Sequence, residues 1–299
     1  MIYCNTVIDT ITLQLNFGID NNRQRLVQVE MLEYINKIFN SYIHPVEYIA
    51  GFDKRIEHKI YCNGRTVVSF KTGYSHDNYF ITIKFAGLKT YDAIVDETSS
   101  NYLWVIVAYI NTRQLNCTLA ELDIAIDVYD VDFENLLVVC TSHTSGTKYH
   151  RLGELQHFDG QTTYIERFDD FATMYTALKR SYTYDKTLKE QVMHNNILGF
   201  NLQRFEIKLN ASYFNKYGFD IKRMQDTLSM YHLMYFDTLD EKYALIDRYN
   251  GYKSGVRKRE IDRMGFDNYR LYHDMDTINN FIYMLTHITN DDIFGNFTF

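Results

Sequence analysis

The chain has 299 residues, of which 46% are apolar or aromatic and 23% charged, a balance that excludes a disordered protein and allows one large domain or two modest ones. Its net charge of −7 argues against a simple nucleic-acid coating protein, while leaving room for a local basic surface. The longest apolar run, Leu103-Trp104-Val105-Ile106-Val107-Ala108-Tyr109-Ile110, is too short to cross a bilayer. No basic stretch followed by a long apolar one is visible near residue 1, so a cytoplasmic protein without membrane attachment is expected. Cys4, Cys62, Cys117 and Cys140 lie far apart, with neither zinc-site nor disulfide-framework spacing, and read as reduced thiols. Abundant Tyr, Phe, Asn and Ile beside a single Pro resemble translation of an A/T-rich genome.

In chain order, Ile8 to Phe17 alternates apolar and polar residues and predicts a strand. A helical pattern follows from about Leu26 to Phe39. Arg65 to Lys71 and Asn78 to Phe85 predict strands. Leu103 to Ile110 fits either a helix or a strand, because an unbroken apolar run has no period. Leu119 to Val128 predicts a strand, and Phe133 to Cys140 a helix start with Asp132 as N-cap. Residues 142–160, with Gly146, Gly153 and Gly160, predict a loop. Strands at about 180–188 and 202–209 flank a loop centred on Asn195-Asn196. After Ala211 the pattern is helical to the end, broken near Asn250-Gly251 and Ser254-Gly255. The expected class is α+β: antiparallel sheet packed with helices over 1–210 and carrying the site, then a helical part over 211–299.

Three segments carry the chemistry. In Leu122-Asp123-Ile124-Ala125-Ile126-Asp127-Val128, the two aspartates share a face with the small Ala125 between them. In Tyr182-Thr183-Tyr184-Asp185-Lys186, the two tyrosines share a face with Lys186. In Arg204-Phe205-Glu206-Ile207-Lys208-Leu209, Arg204, Glu206 and Lys208 face away from the core. Charges on one strand alone describe a solvated face. Paired in one sheet, the three would gather carboxylates, tyrosine hydroxyls and lysines, and neighbouring carboxylates repel unless a cation relieves them. Mg²⁺ or Mn²⁺ bound by two or three carboxylates plus waters is the expected relief. The densest basic run is Tyr252-Lys253-Ser254-Gly255-Val256-Arg257-Lys258-Arg259. Lys253, Arg257, Lys258 and Arg259 are expected to track DNA phosphates, although Glu260, Asp262 and Asp267 offset part of the charge.

The ordered set Asp9-Thr10-Ile11, Ile83-Lys84-Phe85-Ala86-Gly87, Leu122 to Asp127, Tyr184-Asp185-Lys186-x-x-Lys189-Glu190-Gln191 and Arg204-Phe205-Glu206-Ile207 resembles the replication initiation factors of rolling-circle plasmids and filamentous phages, over about residues 5–210. Those proteins carry Arg-Leu-Asp-Ile-Ala-Ile-Asp, Arg-Ile-Tyr-Asp/Glu-Lys and Arg-Phe/Val-Glu strands in this order. Here Glu121 stands before Leu-Asp where the family has Arg. Lys179-Arg180-Ser181 precedes the tyrosine strand in place of Gly-Ser-Arg-Lys-Ser. The resemblance implies a metal-dependent, site-specific DNA nicking-closing endonuclease: a tyrosine attacks DNA, giving a 5′-phosphotyrosine and a free 3′-OH. Carried onto matching positions, the resemblance implies Tyr184 as the nucleophile and Asp123, Asp127 and Glu206 as the metal ligands; Tyr182 lies one strand repeat back on the same face, so that either tyrosine can be the attacking residue. Lys186 would neutralise phosphate charge. The family further implies a homodimer, a host helicase partner and a single-stranded or hairpin origin. A non-cutting DNA-binding protein of a mobile element and a water-using metal-dependent nuclease are the alternatives. The chain has no His-apolar-His triplet, no P-loop and no Gly-x-Ser-x-Gly elbow.

Overall fold

The structure, a computed structural model, describes residues 3–17, 22–38, 56–62, 65–75, 78–86, 88, 102–140, 148–149, 156–157, 162–167, 169–250, 270–271 and 275–294. The fold is α+β. In chain order the strands are β1 (Cys4–Asn16), β2 (Ile56–Cys62), β3 (Arg65–Ser75), β4 (Asn78–Ala86), β5 (Cys117–Tyr129), β6 (Leu136–Cys140), β7 (Lys148–Tyr149), β8 (Gln156–His157), β9 (Thr163–Tyr164), β10 (Glu166–Arg167), β11 (Lys179–Asp185), β12 (Leu202–Asn210), β13 (Tyr231–Tyr235) and β14 (Arg270–Leu271). Among the described residues no helix is long and apolar enough to cross a membrane. The chain divides into two compact units.

One unit comprises Ile8–Leu122 and Asn279–Phe299. Its strands run in the order β2-β3-β4-β1, each neighbour antiparallel. The period-two alternation of β1 sets the register: Ile11, Leu13 and Leu15 lie opposite Phe85, Ile83 and Ile81, and all six are buried. Burying each such side chain contributes roughly 1.5–3 kcal/mol. The helix Asn22–Ile38 buries Met31, Leu32 and Ile35, one turn-spaced stripe. The apolar run that fits either period is the helix Tyr102–Thr112, with Leu103, Ile106, Val107 and Ile110 buried. The helices Met275–His287 and Asn290–Phe294 bring residues distant in sequence against it. Trp104 meets Phe281 edge-on at 5.1 Å. Asn111 donates to the carbonyls of Leu285 and Ile288, at 3.2 and 2.9 Å, satisfying acceptors that a helix end leaves open.

The other unit comprises Met1–Val7 and Asp123–Ile278. Its main strands run β5-β12-β11-β9-β8, beside a three-stranded sheet β14-β13-β6 and the pair β10-β7. Three expectations are corrected here. The stretch after Asp132 is not a helix start: a single 3-10 turn, Phe133–Asn135, gives way at once to β6, and the Asp132 side chain makes no capping bond. Leu136-Leu137-Val138-Val139-Cys140 is apolar and partly β-branched, and it pairs with β13 over five residues. The chain after Ala211 is likewise not helical throughout, since β13 and β14 interrupt the helices Ala211–Tyr217, Ile221–Leu228 and Leu239–Asn250. The strand expected over 180–188 stops at Asp185. That side chain accepts a 2.9 Å bond from the Leu188 amide and opens the helix Lys186–His194, which Asn195 ends in the left-handed region.

Candidate active site

The site lies within the second unit, on β5, β12 and β11. Antiparallel pairing sets Tyr182 opposite Glu206, Tyr184 opposite Arg204 and Arg180 opposite Lys208. Directly opposed residues share a face, so these six project to one side of the sheet. β5 meets the same face. Arg204 grips Asp127 and Lys208 grips Asp123, so the contacts climb β5 as they descend β12, as antiparallel neighbours must. The Asp130 amide bonding the Asn201 carbonyl at 2.9 Å continues that register. It sets the small Ala125 level with Glu206.

These charges are not a solvated face. Every residue from Leu202 to Leu209 is buried, on both sides of β12. Asp127 is 0% exposed, Asp123 and Arg204 3%, Glu206 4% and Lys208 7%. Burial of so many charges is tolerable only because each is paired. Arg204 holds Asp127 with both arms of a fork, Nε to Oδ1 at 2.6 Å and Nη2 to Oδ2 at 3.0 Å. Its third nitrogen, Nη1, lies 3.5 Å from Glu206 Oε1. Lys208 Nζ lies 2.6 Å from Asp123 Oδ2.

Glu206 links the charges to the tyrosines. The Tyr184 hydroxyl donates to Glu206 Oε1 at 2.5 Å, and Tyr184 is 3% exposed. The Lys189 ammonium sits 4.2 Å from the centre of the Tyr184 ring, supplied by the helix that Asp185 opens. Tyr182 stacks on Tyr184 with ring centres 6.2 Å apart. Burial drives the Tyr182 phenol well above its ordinary range, and the Glu206 and Asp123 carboxylates push it further up. Glu206 therefore acts on both phenols, and Asp123 on Tyr182.

Lys186, expected on the strand face beside Tyr184, is instead the first residue of the helix, and its ammonium pairs with Glu190 at 2.9 Å. The cation over the Tyr184 ring is Lys189. Lys253, Arg257, Lys258 and Arg259 lie outside the described residues. Asp123, Asp127 and Glu206 come together as a group, but as arranged they do not fit a shared divalent cation. Asp127 gives both oxygens to Arg204, Asp123 holds Lys208, and Glu206 Oε1 holds Tyr184. Among the described residues no group of three or more His, Cys, Asp and Glu side chains is arranged to hold a metal ion.

The opposite face of β11 carries a second buried polar cluster that local pattern does not reveal. Glu166 Oε2 accepts from the Ser181 amide at 2.7 Å and from its hydroxyl at 2.6 Å. Glu166 Oε1 accepts from Tyr231, whose hydroxyl also takes a bond from Lys179. Lys179, Glu166, Ser181 and Tyr231 are each no more than 2% exposed. The alternation of Lys179 and Ser181 along β11 is the one hint in the sequence; Glu166 and Tyr231 arrive from other strands.

No family model and no curated protein matches the chain. Among solved structures it is similar to a rolling circle replication initiator protein from Geobacillus stearothermophilus, with 13% identity and a TM-score of 0.39 over 96% of this chain and 100% of the other.

Proposed function

We propose that this chain is a DNA nicking-closing enzyme that initiates rolling-circle replication, with Tyr184 as its nucleophile. The observation that carries the proposal is the Tyr184 hydroxyl donating to Glu206 on a buried face where Arg204 pairs with Asp127 and Lys208 with Asp123. The ordered strand motifs that resemble the replication initiation factors support it. An unperturbed phenol ionises near pH ~10 and is a weak nucleophile at neutral pH. A nucleophile within hydrogen-bond reach of a base, with that base held by a third group, is the arrangement that overcomes this. Here Tyr184 is the nucleophile, Glu206 the base, and Arg204 the third group.

The step balances as a transesterification. The Tyr184 oxygen forms a bond to phosphorus while the phosphorus–O3′ bond breaks. The phenolic proton passes to Glu206 and is available to the departing 3′ oxygen. The products are a 5′-phosphotyrosine and a free 3′-OH, and the reverse step closes the strand without an energy source. Arg204 opposes the negative charge that develops at the reacting oxygens. Tyr184 is 3% exposed, so DNA reaches it only once the helix Lys186–His194, which carries Lys189 over the ring, shifts away.

The substrate in this reading is a single-stranded or hairpin origin. A homodimer and a host helicase, which the resemblance implies, belong to the same proposal. The test is incubation of the full chain with 3′-labelled single-stranded DNA, followed by a search for a protein–DNA band that survives denaturation. Tyr184→Phe is expected to lose the band and keep the fold, because it deletes one hydroxyl, while Tyr182→Phe keeps it. Adduct on Tyr182 alone would move the nucleophile by one strand repeat. Cleavage without adduct would establish the water-using nuclease, and binding without cleavage the non-cutting DNA-binding protein.

A further inference from the structure

We infer that this site supplies its own cations, Arg204 and Lys208, where a phosphodiester-cutting site with three carboxylates would hold a divalent metal, so that strand transfer by this chain needs no metal ion. The inference rests on the nicking reading above and departs from the metal site that the sequence leads one to expect.

Three observations carry it. A divalent ion such as Mg²⁺ requires close oxygen ligands at ~2.0–2.1 Å in octahedral order. Asp127 has both oxygens engaged by one guanidinium, at 2.6 and 3.0 Å, and is 0% exposed. Admitting a metal there would strand Arg204, itself 3% exposed, as a buried cation without its partner. Second, the cations stand where the chemistry needs them. Arg204 Nη1 lies 3.5 Å from the carboxylate oxygen that holds the Tyr184 hydroxyl. A guanidinium is permanently charged and matches phosphate oxygens as well as it matches carboxylate oxygens. When Tyr184 gives its proton to Glu206, that carboxyl becomes neutral and releases Arg204 Nη1 to the incoming phosphate. Third, the repulsion among carboxylates that would recruit a metal is already relieved, Asp123 by Lys208 and Asp127 by Arg204.

The experiment has two readouts on the full chain. The first is adduct yield on a 3′-labelled, random-sequence single-stranded DNA pool, with protein stripped of metal and kept in EDTA, against the same protein in Mn²⁺. Equal yields support the inference. Adduct in Mn²⁺ and none in EDTA overturns it and leaves the nicking reading intact. No adduct in either condition counts against the nicking reading. The second readout is Mn²⁺ binding by titration calorimetry, without DNA. The wild-type chain is expected to show no Mn²⁺ site that Asp127→Asn removes. The double variant Arg204→Gln, Lys208→Gln, once shown to be folded, is expected to gain one, because its carboxylates are released. A wild-type Mn²⁺ site lost in Asp127→Asn overturns the inference whatever the adduct assay shows.

Discussion

Glu206 governs the residues around it. Its one oxygen Oε1 accepts from the Tyr184 hydroxyl and lies 3.5 Å from the Arg204 guanidinium, which makes it the proposed acceptor of the phenolic proton. Glu206→Gln preserves shape and removes the proposed base. The expected outcome is a loss of roughly 10²–10⁴-fold in the rate of adduct formation, with DNA binding retained, read in single-turnover assays. An unchanged rate would show that another group accepts the proton. Tyr182 makes a separate claim. Its folded-state pKa is raised, first by burial and then by Glu206 and Asp123, so the neutral phenol is favoured in the folded chain. Below the unfolded value of ~10 both states are protonated and its contribution to stability is complete. As pH rises through ~10 towards the higher folded value, the unfolded chain ionises first and stability falls. Urea unfolding across that range should show a steeper alkaline loss for the wild type than for Tyr182→Phe; matching slopes would contradict the buried environment assigned to Tyr182. At this scale the sequence shows direction and not depth. Alternation places Asp123, Asp127, Glu206 and both tyrosines on a common face, but the same alternation describes a solvated strand. What makes the face a buried site is the pairing of β12 between β5 and β11, which no local window contains.

At the scale of elements, the turn from β11 into the helix Lys186–His194 is what sets Lys189 over Tyr184. Asp185 makes that turn by accepting the Leu188 amide at 2.9 Å. Asp185→Ala should cost about 1 kcal/mol and loosen the first turn of the helix. Hydrogen exchange of the amides from Lys186 to Glu190 should speed up while β12 stays protected. If those amides keep wild-type protection, the helix is held by something other than its cap. The cap is legible in hindsight as an aspartate three residues before an apolar one, but the preceding Tyr182-Thr183-Tyr184 alternation masks it and extends the apparent strand. The failures at β6 and β13 have a common cause. A short apolar run such as Leu136 to Cys140 has no period of its own, and its state is decided by its partner, Tyr231–Tyr235, about ninety residues away.

At the scale of the whole molecule, the α+β class is legible because strand and helix periods alternate in recognisable blocks. The division into units is not. Residues 279–299 join the unit built from Ile8–Leu122, and a chain-order reading cannot see a segment returning across that distance. Asn111 is one of the few local signs, a polar residue at the end of an apolar helix with two distant carbonyls to satisfy. The site depends on the same long-range closure: Asp127 and Arg204 are far apart in sequence and 2.6 Å apart in space. The proposed consequence is that Tyr184 becomes a nucleophile towards DNA. Its most direct measurement is mass spectrometry of the protein recovered from reaction with single-stranded DNA, after digestion of protein and DNA. The expected product is a nucleotide linked through a 5′-phosphate to the peptide containing Tyr184, absent from Tyr184→Phe; recovery of that peptide unmodified, from a reaction in which the DNA has been cut, would show that another group attacks the phosphate.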